Sequence, residues 1–337
     1  MNVQVTEPHP FSPFIQILAR GKTKQRALTL DEAREAMAMI LRGEAEPEQV
    51  GAFLMLERLK EETPEELAGF TLGARDTLAR ASRLPRVDLD WSSYAGKRLQ
   101  LPWFVLSVLG LVQAGHRVAM HGTEGHTPGR LYTSAVLAEL GFAPAATMDE
   151  AAAQIEARGF AYIPLEVMSP ALHRLLDLRP VFGLRSPVHS FARLLNPFEA
   201  PVMMQGIFHR SFLDTHAGAA QVLGQPRAAV LRGEGGEIER RPNKPAQVLM
   251  TIDGGAPEME VFAQTLPDPR QAPDHEMDVA DLARVWRGEL TDDYAVAAVE
   301  GTLAVALRAM GHATTPEEAD GMAAELWAGR DRDFLPG

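Results

Sequence analysis

The sequence predicts an α/β protein that begins with a small all-helical domain. Its first 82 residues contain only helical patterns, and capping boxes that begin at Thr29 and Thr63 mark two helix starts. From residue 83 onward, short apolar runs alternate with helical patterns, which is typical of a mostly parallel sheet covered on both faces. We therefore expect a helical domain at 1–82, joined by helices at about 169–191, and an α/β domain formed by 83–168 and 192–337.

The helices of the N-terminal domain follow from apolar residues spaced three and four apart. Ala52, Met55 and Leu59, for example, recur on one helical face. The predicted helices are Phe11–Arg20, Thr29–Arg42, Pro47–Lys60 and Thr63–Ala81.

In the second domain, apolar runs of three to seven residues predict the strands. They are expected at Leu99–Leu101, Val118–Met120, Phe160–Pro164, Val202–Gly206, Ala228–Leu231 and Ala246–Ile252. The helices are expected at Trp103–Val112, Tyr132–Leu140, Met148–Arg158, Asp214–Leu223, Asp278–Gly288, Asp292–Met310 and Pro316–Gly329.

The composition excludes several classes of function. Cys is absent from the 337 residues, which excludes disulfides, thiolate nucleophiles and cysteine-ligated metals. No apolar run reaches the ~18 residues that span a bilayer, and the N-terminus lacks a signal-peptide pattern, so we expect no membrane partner and a cytoplasmic location. The net charge is −12, but residues 258–337 hold 17 acidic and 6 basic residues, so the rest of the chain is nearly balanced.

A loop, an apolar helix and a buried strand predict an anion site between residues 93 and 122. The polar loop Tyr94–Arg98 leads into the apolar run Trp103–Val112, and the next strand ends at a His-Gly pair. In α/β proteins this order presents backbone N–H groups to phosphate. The candidate anion-binding residues are Tyr94, Gly96, Lys97, Arg98, His121 and Gly122.

The segment Gly51–Phe70 closely resembles the helical domain of anthranilate phosphoribosyltransferase and its relatives. The resemblance continues through Ala114–Gly122, Ala135–Gly141, Arg185–Pro197 and the C-terminal helices. It implies the phosphoribosyltransferase fold of the anthranilate phosphoribosyltransferase and class II nucleoside phosphorylase type. It also implies a cleft between a helical and an α/β lobe, and a homodimer formed through the helical lobes.

The chain departs from that family where the family binds phosphoribosyl pyrophosphate. The Gly-Thr-Gly-Gly-Asp loop that wraps the diphosphate corresponds to Tyr94–Arg98, where Gly96 is the one glycine left. Bulky side chains there obstruct the approach of phosphate to the backbone. The family's Lys-His-Gly-Asn segment becomes Met120–Thr123, which removes its cation.

The metal site that the resemblance implies is also incomplete. The family's Asp-Glu pair aligns with Gly236 and Glu237, which leaves Glu237 as a candidate metal ligand. Magnesium prefers hard oxygen ligands together with substrate phosphates. We therefore expect magnesium only if a transferase reaction is retained, and no other cofactor.

These departures resemble the divergent YbiB-type branch of the family, which is associated with sequence-independent nucleic-acid binding by a dimer. The segments Ser92–Gly96 and Leu178–Val188 carry that resemblance. Basic residues support it, because six cations lie between Ser169 and Leu195 against one acid. The candidate nucleic-acid or acceptor contacts are Lys22, Lys24, Arg26, Arg174, Arg179, Arg185 and Arg193.

Two functions remain open from the sequence, and with them whether the chain is an enzyme. One is a protein without anthranilate phosphoribosyltransferase activity that binds DNA or RNA through a basic dimer groove. The alternative is a pentosyl or phosphoribosyl transferase with a different donor or acceptor, in which Lys97, Arg98 and His121 hold a phosphorylated ribose and Arg179 holds the acceptor.

The segment Arg232–Lys244 mixes charges of both signs on a glycine-rich stretch. We expect a mobile surface hairpin there. A degenerate metal loop, or a phosphate contact through Arg240, Arg241 and Lys244, is the alternative.

Overall fold

Four helices open the chain: α1 (Ser12–Ala19), α2 (Leu30–Leu41), α3 (Pro47–Lys60) and α4 (Pro64–Arg75). The computed structural model describes residues 7–21, 23–125, 127–270, 273–274 and 276–336. Both predicted capping boxes are confirmed: Thr29 and Thr63 each accept a hydrogen bond from the backbone N–H three residues later, where a glutamate reciprocates. The helices therefore begin where the sequence predicts.

Seven strands form one sheet whose order is β3-β2-β1-β4-β5-β6-β7. The pairs from β3 to β5 are parallel, and β6 and β7 are antiparallel, so the predicted mostly parallel sheet is confirmed. The carboxyl ends of the parallel strands meet at one edge, where open α/β sheets bind ligands. The strands are β1 (Leu89–Ser93), β2 (Val118–Gly122), β3 (Phe160–Pro164), β4 (Val202–Ile207), β5 (Arg227–Arg232), β6 (Ala246–Thr251) and β7 (Glu258–Phe262).

Three strand assignments differ from the sequence prediction. Leu99–Leu101 is wrong as a strand, because this segment is part of the loop before the next helix. The apolar pattern misses β1 because three of its five residues are polar, although all five are buried. It misses β7 because this edge strand carries exposed Glu258 and half-buried Glu260.

The remaining helices cover the faces of the sheet and the space above its carboxyl edge. In the described residues no helix is both long enough and apolar enough to cross a membrane. The helices are α5 (Phe104–Gln113), α6 (Thr133–Glu139), α7 (Met148–Arg158), α8 (Leu165–Met168), α9 (Pro170–Leu176), α10 (Arg179–Phe182), α11 (Val188–Phe191), α12 (Leu213–Val222), α13 (Ala280–Arg287), α14 (Asp293–Met310) and α15 (Pro316–Ala328).

Helices α8 to α11 return to the N-terminal helices. The rings of Phe70 on α4 and Phe191 on α11 lie 5.9 Å apart. The same apolar cluster contains Phe53 of α3 and Met203 of β4, so the helical part packs directly onto one face of the sheet. This packing encloses a cleft between the helices and the carboxyl ends of the strands. The predicted domain boundaries remain a prediction.

Two carboxylates are buried in the helical part. Glu57 on α3 and Glu66 on α4 are fully buried and share Lys60 as an ion-pair partner. Burial and the neighbouring Glu66 raise the pKa of Glu57 to about 8. When folding raises the pKa of a carboxyl group, the group contributes its full stability at a pH below its pKa in the unfolded chain. That contribution is lost as the pH rises through its pKa in the folded chain.

We expect Glu57→Gln to raise the free energy of unfolding on the order of 2 kcal/mol near pH 8 and to change it little near pH 5, because the amide does not ionise. Urea denaturation at both pH values measures the difference. Glu48→Gln, which alters an exposed residue of the same helix, is the matched control. An equal effect of Glu57→Gln at both pH values would contradict the raised pKa.

Candidate functional site

The loop after β1 binds a carboxylate of the chain itself. The backbone N–H groups of Ala95 and Gly96 donate to Glu237 Oε1 at 2.6 and 2.7 Å, and Ser93 Oγ donates to Glu237 Oε2 at 2.9 Å. Glu237 is fully buried. We call these three donors the amide nest. Converging backbone N–H groups form an anion site, and here the anion is a protein side chain.

One glycine and one arginine hold the amide nest in shape. Gly96 has a φ of +67°, and a Cβ added there would lie 3.0 Å from the carbonyl oxygen of Leu131. Arg130 Nη1 donates to the carbonyl oxygens of Ala95 and Gly96 at 2.9 and 3.1 Å. The loop therefore turns its N–H groups toward Glu237 and its carbonyl groups toward Arg130.

Lys97, a predicted anion contact, is buried and paired with carboxylates of the chain itself. Its ammonium group is 1% exposed and forms ion pairs with Glu234 and Glu239. Burial alone would lower the pKa of Lys97, but the two carboxylates outweigh burial and raise it. Glu239 also accepts a hydrogen bond from the N–H of Phe104, at the start of α5. Lys97 thus fastens the loop to the segment that carries Glu237.

His121 and Gly122 are structural parts of the same region. His121 is fully buried between Tyr94 and Asp90: its Nδ1 lies 2.8 Å from the Tyr94 hydroxyl, and its Nε2 lies 3.3 Å from Asp90 Oδ2. A Cβ added to Gly122 would lie 1.8 Å from the carbonyl oxygen of Ser93, so the glycine permits the close approach of β1 and β2. Burial raises the pKa of Tyr94 well above its ordinary value.

Four guanidinium groups converge beside the amide nest. Burial together with the charges of Arg193, Arg179 and Arg130 lowers the pKa of Arg185 to about 10. Arg193 is buried, donates to the carbonyl oxygens of Gly206 and His189, and lies over the Tyr94 ring at 5.7 Å. Arg179 Nη1 donates to Thr127 Oγ1 at 2.5 Å. We call Arg130, Arg179, Arg185 and Arg193 the arginine cluster.

A cavity of about 120 Å³ lies next to the arginine cluster, between the helices and the carboxyl end of β4. Arg185 and Arg193 line it, together with Arg58 and Glu62 of the helical part. Burial lowers the pKa of His216 to about 3, so this lining histidine is neutral at neutral pH. The cations of the lining outnumber the acids, so the cavity favours an anion.

The other predicted cations lie outside this group. Arg98, Lys24 and Arg174 have exposed side chains, and it is the backbone N–H of Arg98 that donates to Glu234. Arg26 is paired with Glu32 on the surface. Lys22 lies outside the described residues.

The donor set does not fit a magnesium ion. Both carboxylate oxygens of Glu237 already accept hydrogen bonds from the amide nest, and magnesium would need those oxygens together with further hard ligands. In the described parts of the chain no group of three or more histidine, aspartate and glutamate residues could hold a metal ion.

The prediction of a mobile surface hairpin at Arg232–Lys244 is wrong for Gly233–Arg240, because every residue in that range is buried. Arg240 forms an ion pair with Asp320 and lies over the Phe262 ring at 5.0 Å. Glu239 and Arg130 also have roles that no motif of the sequence predicts. The signal that could indicate such internal ion pairs is the alternation of glutamates and glycines in Gly233–Glu239, in a chain whose loop after β1 carries Lys97.

Comparisons with known proteins agree with this fold. Residues 12–78 match the helical bundle domain of a glycosyl transferase family. Over 220 residues the chain is 33% identical to the anthranilate phosphoribosyltransferase of Desulfitobacterium hafniense, and the match spans 64% of each chain. It is 26% identical to the uncharacterized protein YbiB of Escherichia coli over 71% of this chain and 75% of that protein.

Solved structures extend the likeness to nearly the whole chain. Anthranilate phosphoribosyltransferase from Thermus thermophilus superposes with a TM-score of 0.77 at 24% identity, covering 95% of both chains. The Saccharomyces cerevisiae enzyme, solved in complex with PRPP and Mg, gives a TM-score of 0.73 at 14% identity over 94% of this chain and 93% of that one.

The chain therefore has a phosphoribosyltransferase fold with a small helical domain in front of an α/β domain. It is similar to the anthranilate phosphoribosyltransferase-like proteins of glycosyl transferase family 3. This confirms the family resemblance and the fold class that the sequence implies.

We expect Glu237→Ala to lower the melting temperature, because each buried donor of the amide nest that loses its acceptor costs about 1–3 kcal/mol. Added inorganic phosphate should restore part of the loss by entering the vacated nest. Differential scanning calorimetry with and without phosphate measures both effects. Glu237→Gln, which keeps one acceptor oxygen, is the control and should lose less. Equal phosphate responses of wild type and Glu237→Ala would contradict a filled nest.

Proposed function

We propose that this chain binds DNA or RNA through phosphate contacts, without sequence preference, and does not make phosphoribosylanthranilate. The observation that carries the proposal is an amide nest filled by Glu237 beside an arginine cluster. The filled amide nest disfavours a diphosphate in the loop, and the arginine cluster favours phosphates at the cleft.

The filled nest argues against the family's way of holding phosphoribosyl pyrophosphate. A diphosphate would have to displace Glu237 from three hydrogen bonds, because two anions cannot share the same donors without strong repulsion. Lys97, the cation nearest in sequence, is held by two carboxylates. The amides of Ala95 and Gly96 and the ammonium group of Lys97 are therefore occupied by carboxylates of the chain itself.

The arginine cluster supplies the local positive charge that a phosphate backbone requires. Arg179 and Arg185 are half-buried and therefore reachable, in a chain whose net charge is −12. Guanidinium groups bind phosphate oxygens with paired hydrogen bonds, and such contacts carry no base information. The exposed Val181 and Leu184, at 76% and 55%, flank Arg179 and Arg185 in the sequence and supply apolar surface beside them.

We also propose that the chain works as a homodimer in the cytoplasm. The resemblance to anthranilate phosphoribosyltransferases supports a dimer through the helical part, where Leu59 on α3 is 84% exposed. A dimer would place two arginine clusters on one assembly and extend the surface for a polyanion.

Fluorescence anisotropy of a labelled single-stranded oligonucleotide, repeated at several salt concentrations, tests the nucleic-acid proposal. We expect the affinity to fall linearly on logarithmic axes as salt increases. Arg185→Ala should weaken binding about three- to tenfold and reduce the salt slope by about one, because one phosphate contact is lost. Arg83→Ala removes an exposed arginine far from the cluster in sequence and serves as the control. Binding that is insensitive to salt, or equal loss in both variants, would contradict the proposal.

A second candidate is a pentosyl or phosphoribosyl transferase with another donor or acceptor. The cavity of about 120 Å³ favours it, because a concave space between the helices and the strand ends suits a small molecule. Arg179 and Arg185 would hold the phosphorylated ribose. Any magnesium would arrive with the ligand and be carried mainly by its phosphates, and the Saccharomyces cerevisiae enzyme was likewise solved with PRPP and Mg together.

Isothermal titration with phosphoribosyl pyrophosphate and magnesium separates the two candidates. The nucleic-acid proposal predicts no magnesium-dependent binding in the micromolar range and no product when anthranilate is added. Tight, magnesium-dependent binding that Arg185→Ala weakens, together with unchanged oligonucleotide binding, would favour the transferase.

A further inference from the structure

A second basic cavity lies at the carboxyl edge of the sheet. Its volume is about 250 Å³. It shares no lining residue with the cavity beside the arginine cluster. We call it the sheet-edge pocket. The residues that line it are Arg210, Leu213, Arg232, Arg241, Lys244, Pro245, Ala246, Gln247 and Val261.

The topology brings together the four cations of the sheet-edge pocket from three neighbouring segments of the chain. Arg232 is the last residue of β5 and pairs in register with Ile207 of β4, and Arg210 follows β4 three residues later. Arg241 directly follows the buried stretch Gly233–Arg240, and Lys244 lies two residues before β6. Nothing acidic is among the described residues that line the pocket.

The charges of these four cations are not neutralised as those of their neighbours are. On the same sheet and the helices that cover it, Arg227 is paired with Asp253, Arg240 with Asp320 and Arg308 with Glu260. In the described ranges, no ion pair includes any of the four pocket cations.

In the described part of the chain, the guanidinium groups in the pocket also have hydrogen-bond donors without acceptors, and Arg241 is one example. Its Nε is buried and has no hydrogen-bond partner among the described residues. Arg232 Nε donates to the carbonyl oxygen of Phe208, which leaves its two terminal nitrogens for other acceptors. Four adjacent cations in a chain of net charge −12 repel one another unless an anion lies between them.

We propose that the sheet-edge pocket binds a phosphate-bearing ligand, with at least two phosphate groups shared among Arg210, Arg232, Arg241 and Lys244. Arginine and lysine side chains arranged around a concave site match the multiple oxygens of a diphosphate or of neighbouring phosphodiesters. This site goes beyond the function proposed above, because it uses none of the arginine cluster. Its phosphates come either from a small phosphorylated molecule or from a nucleic-acid backbone.

The test is isothermal titration of the full chain with pyrophosphate in the absence of metal. Arg210→Glu with Lys244→Glu reverses two exposed charges that make no side-chain ion pair in the described structure. We expect this double variant to weaken pyrophosphate binding by about tenfold or more. Arg20→Glu with Arg83→Glu makes the same change in net charge at exposed positions elsewhere and should change affinity less than about twofold.

Two further variants keep the result interpretable. Arg210→Ala with Lys244→Ala avoids charge reversal and should still weaken binding by about threefold or more. Arg20→Ala should leave the affinity for pyrophosphate within about twofold, because Arg20 is exposed and lines neither cavity. Absence of pyrophosphate binding by the wild type, or equal binding by the pocket and control double variants, would overturn the proposal.

Oligonucleotide anisotropy with the same variants identifies the source of the phosphate. Loss of both pyrophosphate and oligonucleotide binding in the pocket double variant assigns the pocket to a nucleic-acid backbone. Loss of pyrophosphate binding alone assigns it to a small phosphorylated molecule. A separate result, unchanged oligonucleotide binding by Arg185→Ala, would contradict the nucleic-acid function proposed above.

Discussion

The contact between the Glu237 carboxylate and the N–H groups of Ala95 and Gly96 is the constraint on which the rest of the site depends. A buried carboxylate is stable only when donors surround it, and this one has two amides, a serine hydroxyl and the nearby charge of Arg193. Moving it would leave both the charge and the donors without partners. The loop after β1, the turn through Gly235 and Gly236, and the ion pairs of Lys97 all hold that contact in place.

The fold and the binding properties of this protein depend on different sets of residues. The sheet order, the capping boxes and the apolar clusters depend on periodicity and packing, and they are compatible with many different residues at the strand ends. The residues at those ends decide what can bind. Here an internal anion occupies the backbone donors of the loop, while cations gather beside it at the arginine cluster and in the sheet-edge pocket. At this edge the backbone donors of the loop are occupied by Glu237, and positive charge is supplied by arginine and lysine side chains.

The sequence predicts much of the fold because helices and buried parallel strands have strong periodic signals. The capping boxes at Thr29 and Thr63 and the apolar helix α5 are examples. It predicts the site less well, because burial of a polar residue is decided by partners far along the chain. Lys97 looks like an exposed phosphate ligand until Glu239, 142 positions away, is brought beside it. Convergence of Arg130 with Arg185 likewise depends on the topology and leaves no local pattern.

The most direct test of the account is a crystal structure of the wild-type chain grown with phosphoribosyl pyrophosphate and magnesium. We predict that the Glu237 carboxylate remains within hydrogen-bond distance of the Ala95 and Gly96 amides, with no diphosphate in the loop. A diphosphate bound by those amides, with Glu237 displaced or coordinating magnesium, would contradict it.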